Sequence, residues 1–204
     1  MNTKPHTHSN SILTNGFIRS FKKTENKIPS QKILLWLLLA SIVMLFAGLT
    51  SAYLVRQNAG NWTHFDLPKL FSVSTSIILL SSLSINRAVT SAGRNNLSHT
   101  KYALLLTLIL GCGFVVFQFL GWKSLTEQGI FLVGNPSGAF LYIITGLHAA
   151  HILAGLISVG VVTVQAWRKQ YNAENLLGLQ LCASYWHFVD GLWVYLFLFL
   201  LFTR

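Results

Sequence analysis

The stretch Ile33–Val55 reads ILLWLLLASIVMLFAGLTSAYLV and contains no charged residue. A helix needs about 20 consecutive apolar residues to cross the hydrocarbon core of a bilayer, so this stretch is predicted to be a transmembrane helix. Four further segments of suitable length and hydropathy follow, at about 67–89, 102–122, 139–167 and 179–202. We therefore predict an all-α integral membrane bundle of five transmembrane helices.

The composition of the chain agrees with a membrane protein. Of its 204 residues, 52% are hydrophobic and 10% are charged, whereas a soluble domain carries about 25% charged residues. The formal net charge of +10 would indicate nucleic-acid binding in a soluble protein. Here the basic residues lie mainly in the N-terminal tail and in short loops, which indicates membrane topology instead.

The distribution of lysine and arginine over the loops predicts the orientation of the chain. The tail and the loops after the second and fourth segments carry 11 of the 15 basic residues. Cytoplasmic loops of membrane proteins are enriched in lysine and arginine. The N-terminus is therefore predicted to be cytoplasmic and the C-terminus to lie outside. Residues 1–30 are predicted to be a disordered basic cytoplasmic tail, and residues 31–204 to form the transmembrane domain.

Four ionisable residues lie deep within the predicted spans: His148 and His151 in the fourth, and His187 and Asp190 in the fifth. Such groups are costly inside a bilayer and are often functional. Each pair is spaced i, i+3, so each pair lies on one side of its helix. The helical rise places Asp190 and His151 within about 6 Å of the same depth. We predict that Asp190 has a polar partner, with His151 or His187 as the best candidates.

Three interpretations of this polar cluster are open. The first is a structural hydrogen-bonded pair that joins the fourth helix to the fifth, and the second is a proton relay. The third is ligation of a haem iron or a copper ion by imidazoles from two helices. The structural interpretation is favoured because no third or fourth ligand is evident. We therefore predict no catalytic, cofactor-binding or metal site in this chain.

Two further sets of residues are predicted to make packing contacts. Small residues recur at every fourth position of the fourth segment, at Gly146, Ala150, Ala154 and Ser158. Such stripes allow two helices to approach closely. Three large aromatic residues are expected to contact lipid or other subunits, namely Trp122, Trp186 and Trp193.

Two strings around the polar residues resemble signatures of a known family. The string YWHFVDGLW at 185–193 strongly resembles the last-helix signature of haem-copper oxidase subunit III. The string TGLHAAH at 145–151, followed by Gly155, resembles the TGxHxxHxxxG stretch of the same family. The two strings occur in the family's order, one on each of the last two helices. The resemblance extends over roughly 33–202, and the five-helix count resembles the short bacterial form.

This resemblance implies a non-catalytic subunit of a terminal respiratory oxidase, with cytochrome c oxidase as the first choice. The family's haems and coppers lie in subunits I and II, so no cofactor is expected in this chain. Subunit I is the expected main contact, subunit II and other respiratory subunits are further partners, and bound phospholipid is expected. The implied role is to stabilise subunit I and to support electron transport and proton translocation. The implied location is the bacterial cytoplasmic (inner) membrane.

Two departures from the family pattern concern buried acids. The first helix of the family's five-helix core commonly carries Ser-Glu, whereas this chain has Ser41-Ile42. The family's FQxxEW reads FQFLGW at 117–122, with Gly121 in place of the acid. Asp190 is left as the only acid deep in the predicted bilayer region. A proton-antenna role is therefore disfavoured relative to a structural and lipid-organising one.

Other functions stay open at this point. Subunit III of a quinol oxidase and an accessory relative of a nitric oxide reductase are close variants, because the sequence does not reveal the electron donor. A stand-alone membrane transporter is disfavoured by the lack of an inverted repeat or a broken-helix pair. A b-type haem protein would use His148 or His151 together with His187.

Overall fold

A computed structural model describes residues 29–58, 62, 66–168 and 176–203 of the chain. These residues form helices and no strand, and each helix is long and apolar enough to cross a membrane. The five are α1 (Ser30–Gln57), α2 (Lys69–Gly93), α3 (Leu97–Glu127), α4 (Pro136–Trp167) and α5 (Leu177–Thr203). The predicted all-α fold with five membrane-spanning helices is confirmed. The predicted tail, up to residue 28, lies outside the described residues.

Each helix extends beyond its predicted apolar segment at one end or at both. Helix α3 starts five residues before its predicted first residue, at Leu97, because the side chain of Asn96 accepts a hydrogen bond from the backbone N–H of His99. Helix α4 starts at Pro136, whose fixed φ suits the first helical turn. The side chain of Asn135 accepts a hydrogen bond from the next free N–H, that of Ser137, at 2.9 Å. Polar caps therefore set these ends, and hydropathy does not report them.

The chain divides into two units, Met1–Trp36 and Leu37–Arg204. The described part of the first unit includes the beginning of α1. Within the second unit, α2 packs against α3 and α5, and α4 also packs against α3 and α5. These four helices therefore form a closed ring in which neighbours in sequence are neighbours in space. Large side chains fill the centre of the ring: Phe71, Ile78, Phe114, Ile152, Trp186 and Trp193.

The part of α1 in the second unit packs outside this ring, against α4 and α5. Its buried side chains are Ile42, Phe46 and Tyr53, and they pack with Ile144, Leu196 and Leu200. Hydrogen bonds also tie α1 to α5. The hydroxyl of Tyr195 donates to Thr50 Oγ1 at 3.3 Å, and Gln57 Nε2 donates to the carbonyl oxygen of Thr203 at 2.6 Å.

The predicted stripe of small residues on α4 does not bring two of the described helices together. A Cβ added at Gly146 would meet no atom within 4 Å, and Ala150 and Ala154 are exposed. Only Ser158 turns inward, towards the thiol of Cys182 on α5. The prediction of close helix packing along this stripe is therefore wrong for the described helices of this chain. A four-residue spacing identifies one side of a helix but not what that side faces.

Candidate functional site

Hydroxyl groups of α2 accept hydrogen bonds from tryptophans of α5. The indole N–H of Trp193 donates to Thr75 Oγ1 at 2.9 Å. The indole N–H of Trp186 donates to Ser81 Oγ at 3.0 Å. Polar groups inside a bilayer must find partners within the protein, because hydrocarbon offers none. The serines and threonines that lower the hydropathy of α2 therefore hold α5 in place.

Trp186 and Trp193 are fully buried, with 0% exposure. The prediction that these two residues contact lipid or other subunits is wrong. Trp186 fits inside the ring because α3 and α4 carry glycine beside it. A Cβ added at Gly111 would lie 2.8 Å from the indole ring, and one added at Gly155 would lie 3.1 Å from it. The indoles are thus internal packing residues whose N–H groups are satisfied by α2.

Trp122, the third predicted aromatic contact, lies half-buried on α3. Its indole N–H donates to Thr145 Oγ1 on α4 at 3.1 Å. The hydroxyl of Tyr142 donates to the carbonyl oxygen of Trp122 at 3.3 Å. Trp122 therefore joins α3 to α4 through its indole N–H and its backbone carbonyl, and only part of its ring is available to lipid or to another subunit.

His148 lies at the centre of an aromatic enclosure. Its ring stacks on Trp193, with centroids 5.0 Å apart, and meets Phe114 and Phe46 edge-on at 6.1 and 6.3 Å. The side chain has 0% exposure. Neither ring nitrogen has a hydrogen-bond partner among the described residues. His148 therefore contributes a ring to the core, and its nitrogens form none of the predicted polar pairs.

His151 lies one turn further along α4 and bonds within its own helix. Its Nδ1 lies 2.7 Å from the carbonyl oxygen of Leu147. Since a carbonyl oxygen only accepts, Nδ1 is the donor. The ring packs edge-on against Phe46 at 5.6 Å. The hydroxyl of Tyr185 on α5 donates to the carbonyl oxygen of His151 at 3.1 Å, so the contact between α4 and α5 here goes through the backbone.

His187 faces away from the centre of the ring. Its side chain is exposed, and its Nδ1 lies 2.6 Å from Ser82 Oγ on α2. His187 therefore adds a third polar contact between α2 and α5, on the outer side of the interface that the tryptophans occupy on the inner side.

Asp190 is buried, with 2% exposure, yet it makes no hydrogen bond within the described part of the chain. The Ser82 hydroxyl lies close to the carboxyl group, but it bonds to His187 instead. The prediction that Asp190 pairs with His151 or His187 is wrong. Both histidines have other partners, and Phe46 and Tyr185 occupy the space around His151.

The sequence reasoning missed the role of Gln118, a buried residue of α3 with 1% exposure. Its Oε1 accepts from Ser74 Oγ on α2 at 3.4 Å, while its Nε2 has no partner among the described residues. An uncharged polar side chain in the middle of a predicted span was the available signal. Gln118 is not ionisable, so a prediction based on ionisable groups did not include it.

The polar side chains of the ring are thus distributed over separate helix contacts. Within the described residues, no group of three or more His, Cys, Asp or Glu side chains is arranged to hold a metal ion. Asp190, with both carboxyl oxygens unpartnered there, and His148, with both ring nitrogens unpartnered, are the two least satisfied groups. The arrangement favours helix–helix recognition, in which indoles donate to hydroxyls.

Comparison with known proteins decides the family. The family model described as Cytochrome c oxidase subunit III matches residues 30–203, which include all five helices. The chain belongs to the cytochrome c oxidase subunit III family. It is subunit III of a haem-copper oxidase and a multi-pass membrane protein. The recognition made from the last two helices is confirmed.

Three relatives illustrate the breadth of the subunit III family. The chain is 31% identical over 174 residues to "Cytochrome c oxidase subunit 3" of Corynebacterium diphtheriae, covering 81% of this chain and 84% of that protein. It is 27% identical over 168 residues to the protein of the same name from Bacillus subtilis, covering 79% and 81%. It is 30% identical over 170 residues to "Cytochrome bo(3) ubiquinol oxidase subunit 3" of Pseudomonas aeruginosa, covering 79% of each.

At both positions where this subunit III lacks the expected acid, the residue present packs against apolar neighbours. Ile42 is 3% exposed and belongs to the apolar cluster between α1, α4 and α5. Gly121 lies against Phe71 of α2, and a Cβ added there would be 3.1 Å from the phenyl ring. A longer side chain at either position would have to displace a neighbour. The two departures therefore lie in apolar surroundings, Ile42 in the cluster between α1, α4 and α5 and Gly121 against the core of the ring.

Proposed function

We propose that this chain is the non-catalytic subunit III of a terminal respiratory oxidase, with cytochrome c oxidase as the enzyme and its haems and coppers in partner subunits. The different surroundings of the three deep histidines support this. His148 is enclosed by aromatic rings, His151 bonds to its own helix, and His187 faces outward towards Ser82. Ligation of haem or copper by two helices requires imidazoles that face a common centre.

The proposed partners are subunit I as the main contact, then subunit II and other respiratory subunits, together with bound phospholipid. Membership of the family supports association with other oxidase subunits. Extensive exposed apolar surface supports contact with lipid and with partner helices. The basic loops support an N-terminus in the cytoplasm, and the bacterial relatives support the bacterial cytoplasmic membrane as the location. In this proposal the chain stabilises subunit I and thereby sustains electron transport and proton translocation.

Purification through an affinity tag on this chain tests the proposal. Gentle detergent extraction is expected to recover a complex that contains haem and consumes oxygen. The same chain expressed without the other subunits is expected to show no Soret absorbance. A Soret band in the isolated chain would contradict the proposal and revive the b-type haem alternative. Turnover of nitric oxide by the purified complex would instead favour the reductase-associated relative.

A quinol oxidase is the second candidate for the parent enzyme. The observation in its favour is the 30% identity to the Pseudomonas aeruginosa protein named as a ubiquinol oxidase subunit. Oxidation of reduced cytochrome c and of a quinol by the same purified complex distinguishes the two. We expect cytochrome c to be the faster donor. Faster oxidation of the quinol would assign the chain to a quinol oxidase.

A further inference from the structure

One stripe on the outer surface of the ring is polar at membrane depth. On α5, Ser184, His187 and Gly191 are exposed, and they lie beside the half-buried Ser82 of α2. Their spacing of three and then four residues places them on one side of the helix. His187 lies about 15 Å from the start of α5 by the helical rise. A hydrocarbon core of roughly 30 Å therefore contains it.

The other surfaces of the ring lack such groups at the same depth. Between Leu105 and Leu120 of α3, each exposed residue is a large apolar residue or a cysteine. Between Ile143 and Val164 of α4, each exposed residue is aliphatic. Hydrocarbon solvates both surfaces without leaving a polar group unsatisfied. The contrast singles out the stripe on α5 and its neighbours on α2, where Ser76 and Asn86 are also exposed.

The hydrogen-bonding capacity of His187 is only partly used by the described part of the chain. Its Nδ1 is close to Ser82 Oγ, and its Nε2 has no partner among the described residues. Lipid tails cannot satisfy an imidazole nitrogen, so a side chain of this kind at membrane depth faces protein. We propose that this polar face of α5, defined by Ser184, His187 and Gly191, docks onto a transmembrane helix of another oxidase subunit. That helix presents a hydroxyl, amide or carboxyl group to His187 Nε2.

The residues on either side of His187 suit the close approach of a partner helix. Ser184 and Gly191 are small, and a Cβ added at Gly191 would meet no atom of this chain within 4 Å. Small residues around one hydrogen-bonding side chain form the type of surface on which membrane helices associate. This inference rests on the proposed function, because the partner is a subunit of the same oxidase.

Site-specific photo-crosslinking in the complete complex tests the docking face. A photoreactive amino acid is placed at position 184 or 191, and the matched control positions are Leu106 and Ile109, which are exposed on α3. We expect adducts with another oxidase subunit from 184 and 191 and none from the α3 positions. Subunit adducts from α3 alone, adducts between two copies of this chain, or adducts only with lipid would each overturn the proposal.

Measuring haem in the same preparation distinguishes failure of this inference from failure of the proposed function. If a haem-bearing complex gives no subunit adduct from 184 or 191, the docking face is wrong while the proposed function stands. If the tag recovers no haem-bearing subunits, both fail.

Substitutions at His187 provide a second test. The quantity measured is the fraction of this chain that stays in the complex when the complex is diluted in detergent. His187→Leu is expected to reduce retention at least tenfold, and His187→Gln, which keeps a hydrogen-bonding group, is expected to restore most of it. Ser82→Ala is the control, because it removes the internal contact but leaves the imidazole on the surface. Loss of retention in Ser82→Ala equal to that in His187→Leu would assign His187 a role inside the chain and overturn its role in docking.

Discussion

The ring of His148 stacks on the indole of Trp193, with centroids 5.0 Å apart and planes inclined by 28°. This contact joins the two strings that carry the family resemblance, one on α4 and one on α5. It joins them through ring faces, although the sequence favoured a polar contact between His151 or His187 and Asp190. The edge-on approach of Phe114 to both rings, at 6.1 and 5.2 Å, extends the cluster to α3. Aromatic packing therefore accounts for the position of His148.

Substitution of His148 separates packing from ligation. His148→Phe keeps a ring between Trp193, Phe114 and Phe46 and removes two unpartnered nitrogens, so the subunit is expected to remain as stable as the wild type. His148→Ala leaves a cavity and is expected to cost about 2–5 kcal/mol. The measurements are the free energy of unfolding in detergent and the haem spectrum of the complex. Loss of haem or of turnover in His148→Phe, with normal subunit content, would refute the packing role.

The bond between Trp193 and Thr75 is expected to show energetic coupling. Thr75→Val leaves a buried indole N–H without an acceptor and is expected to cost about 1–3 kcal/mol. In Trp193→Phe the same Thr75→Val change is expected to cost much less, because the donor is already gone. A double-mutant cycle on the free energy of unfolding measures the coupling. Equal costs of Thr75→Val in both backgrounds would show that the bond does not contribute.

Glycine substitutions test where the helices approach most closely. Gly111→Ala places a methyl group 2.7 Å from Leu156 and 2.8 Å from Trp186, and the overpacking is expected to cost about 1–3 kcal/mol. Gly146→Ala is the matched control, since its added Cβ meets nothing within 4 Å. The control is expected to match or exceed the wild type, because alanine favours helix. Both variants are compared in the isolated subunit. If Gly146→Ala destabilised it as much as Gly111→Ala, the stripe of small residues on α4 would have to pack inside the bundle.

The parts of the fold that the sequence predicted are those that depend on hydropathy. Five apolar runs of membrane-spanning length led to five helices, because a bilayer requires closed backbone hydrogen bonding over about 20 residues. The direction in which each side chain faces did not follow from this. In water the apolar side of a helix faces inward, but in lipid both sides are apolar, so periodicity no longer separates inside from outside. For this reason Trp186 was predicted to contact lipid or another subunit but is buried, and Ala150 was predicted to pack against another helix but is exposed.

The polar contacts could be predicted only in part. The hydroxyl groups of Ser81 and Thr75 had many possible partners, because a hydroxyl can accept one hydrogen bond and donate another, as Thr75 does to the carbonyl oxygen of Phe71 in its own helix. Their pairing with indoles depends on the antiparallel register of α2 against α5, which no local pattern specifies. The family resemblance located the two strings correctly but carried no information about which atoms within them meet.

Replacement of Asp190 tests whether its carboxyl group has a hydrogen-bond partner within the folded subunit. A buried carboxyl without a hydrogen bond opposes folding, by about 3 kcal/mol on insertion scales for a charged form at the bilayer centre. Asp190→Asn and Asp190→Leu are therefore expected to be at least as stable as the wild type in the isolated subunit, with Leu the more stable. Unfolding in mixed detergent micelles measures this. A loss above about 1 kcal/mol in Asp190→Asn would reveal a hydrogen bond specific to the carboxyl group.

Restoration of the acid that the family commonly carries on its first core helix tests the apolar cluster around α1. Ile42 is 3% exposed and packs in the same cluster as Ile144 and Leu196. Ile42→Glu is expected to lower the free energy of unfolding by about 3 kcal/mol, because the cluster offers the carboxyl group no partner. Ile42→Leu preserves volume and is expected to cost below about 1.5 kcal/mol. If Ile42→Glu were as stable as Ile42→Leu, the α1 interface would have to be loose enough to admit water or a compensating group.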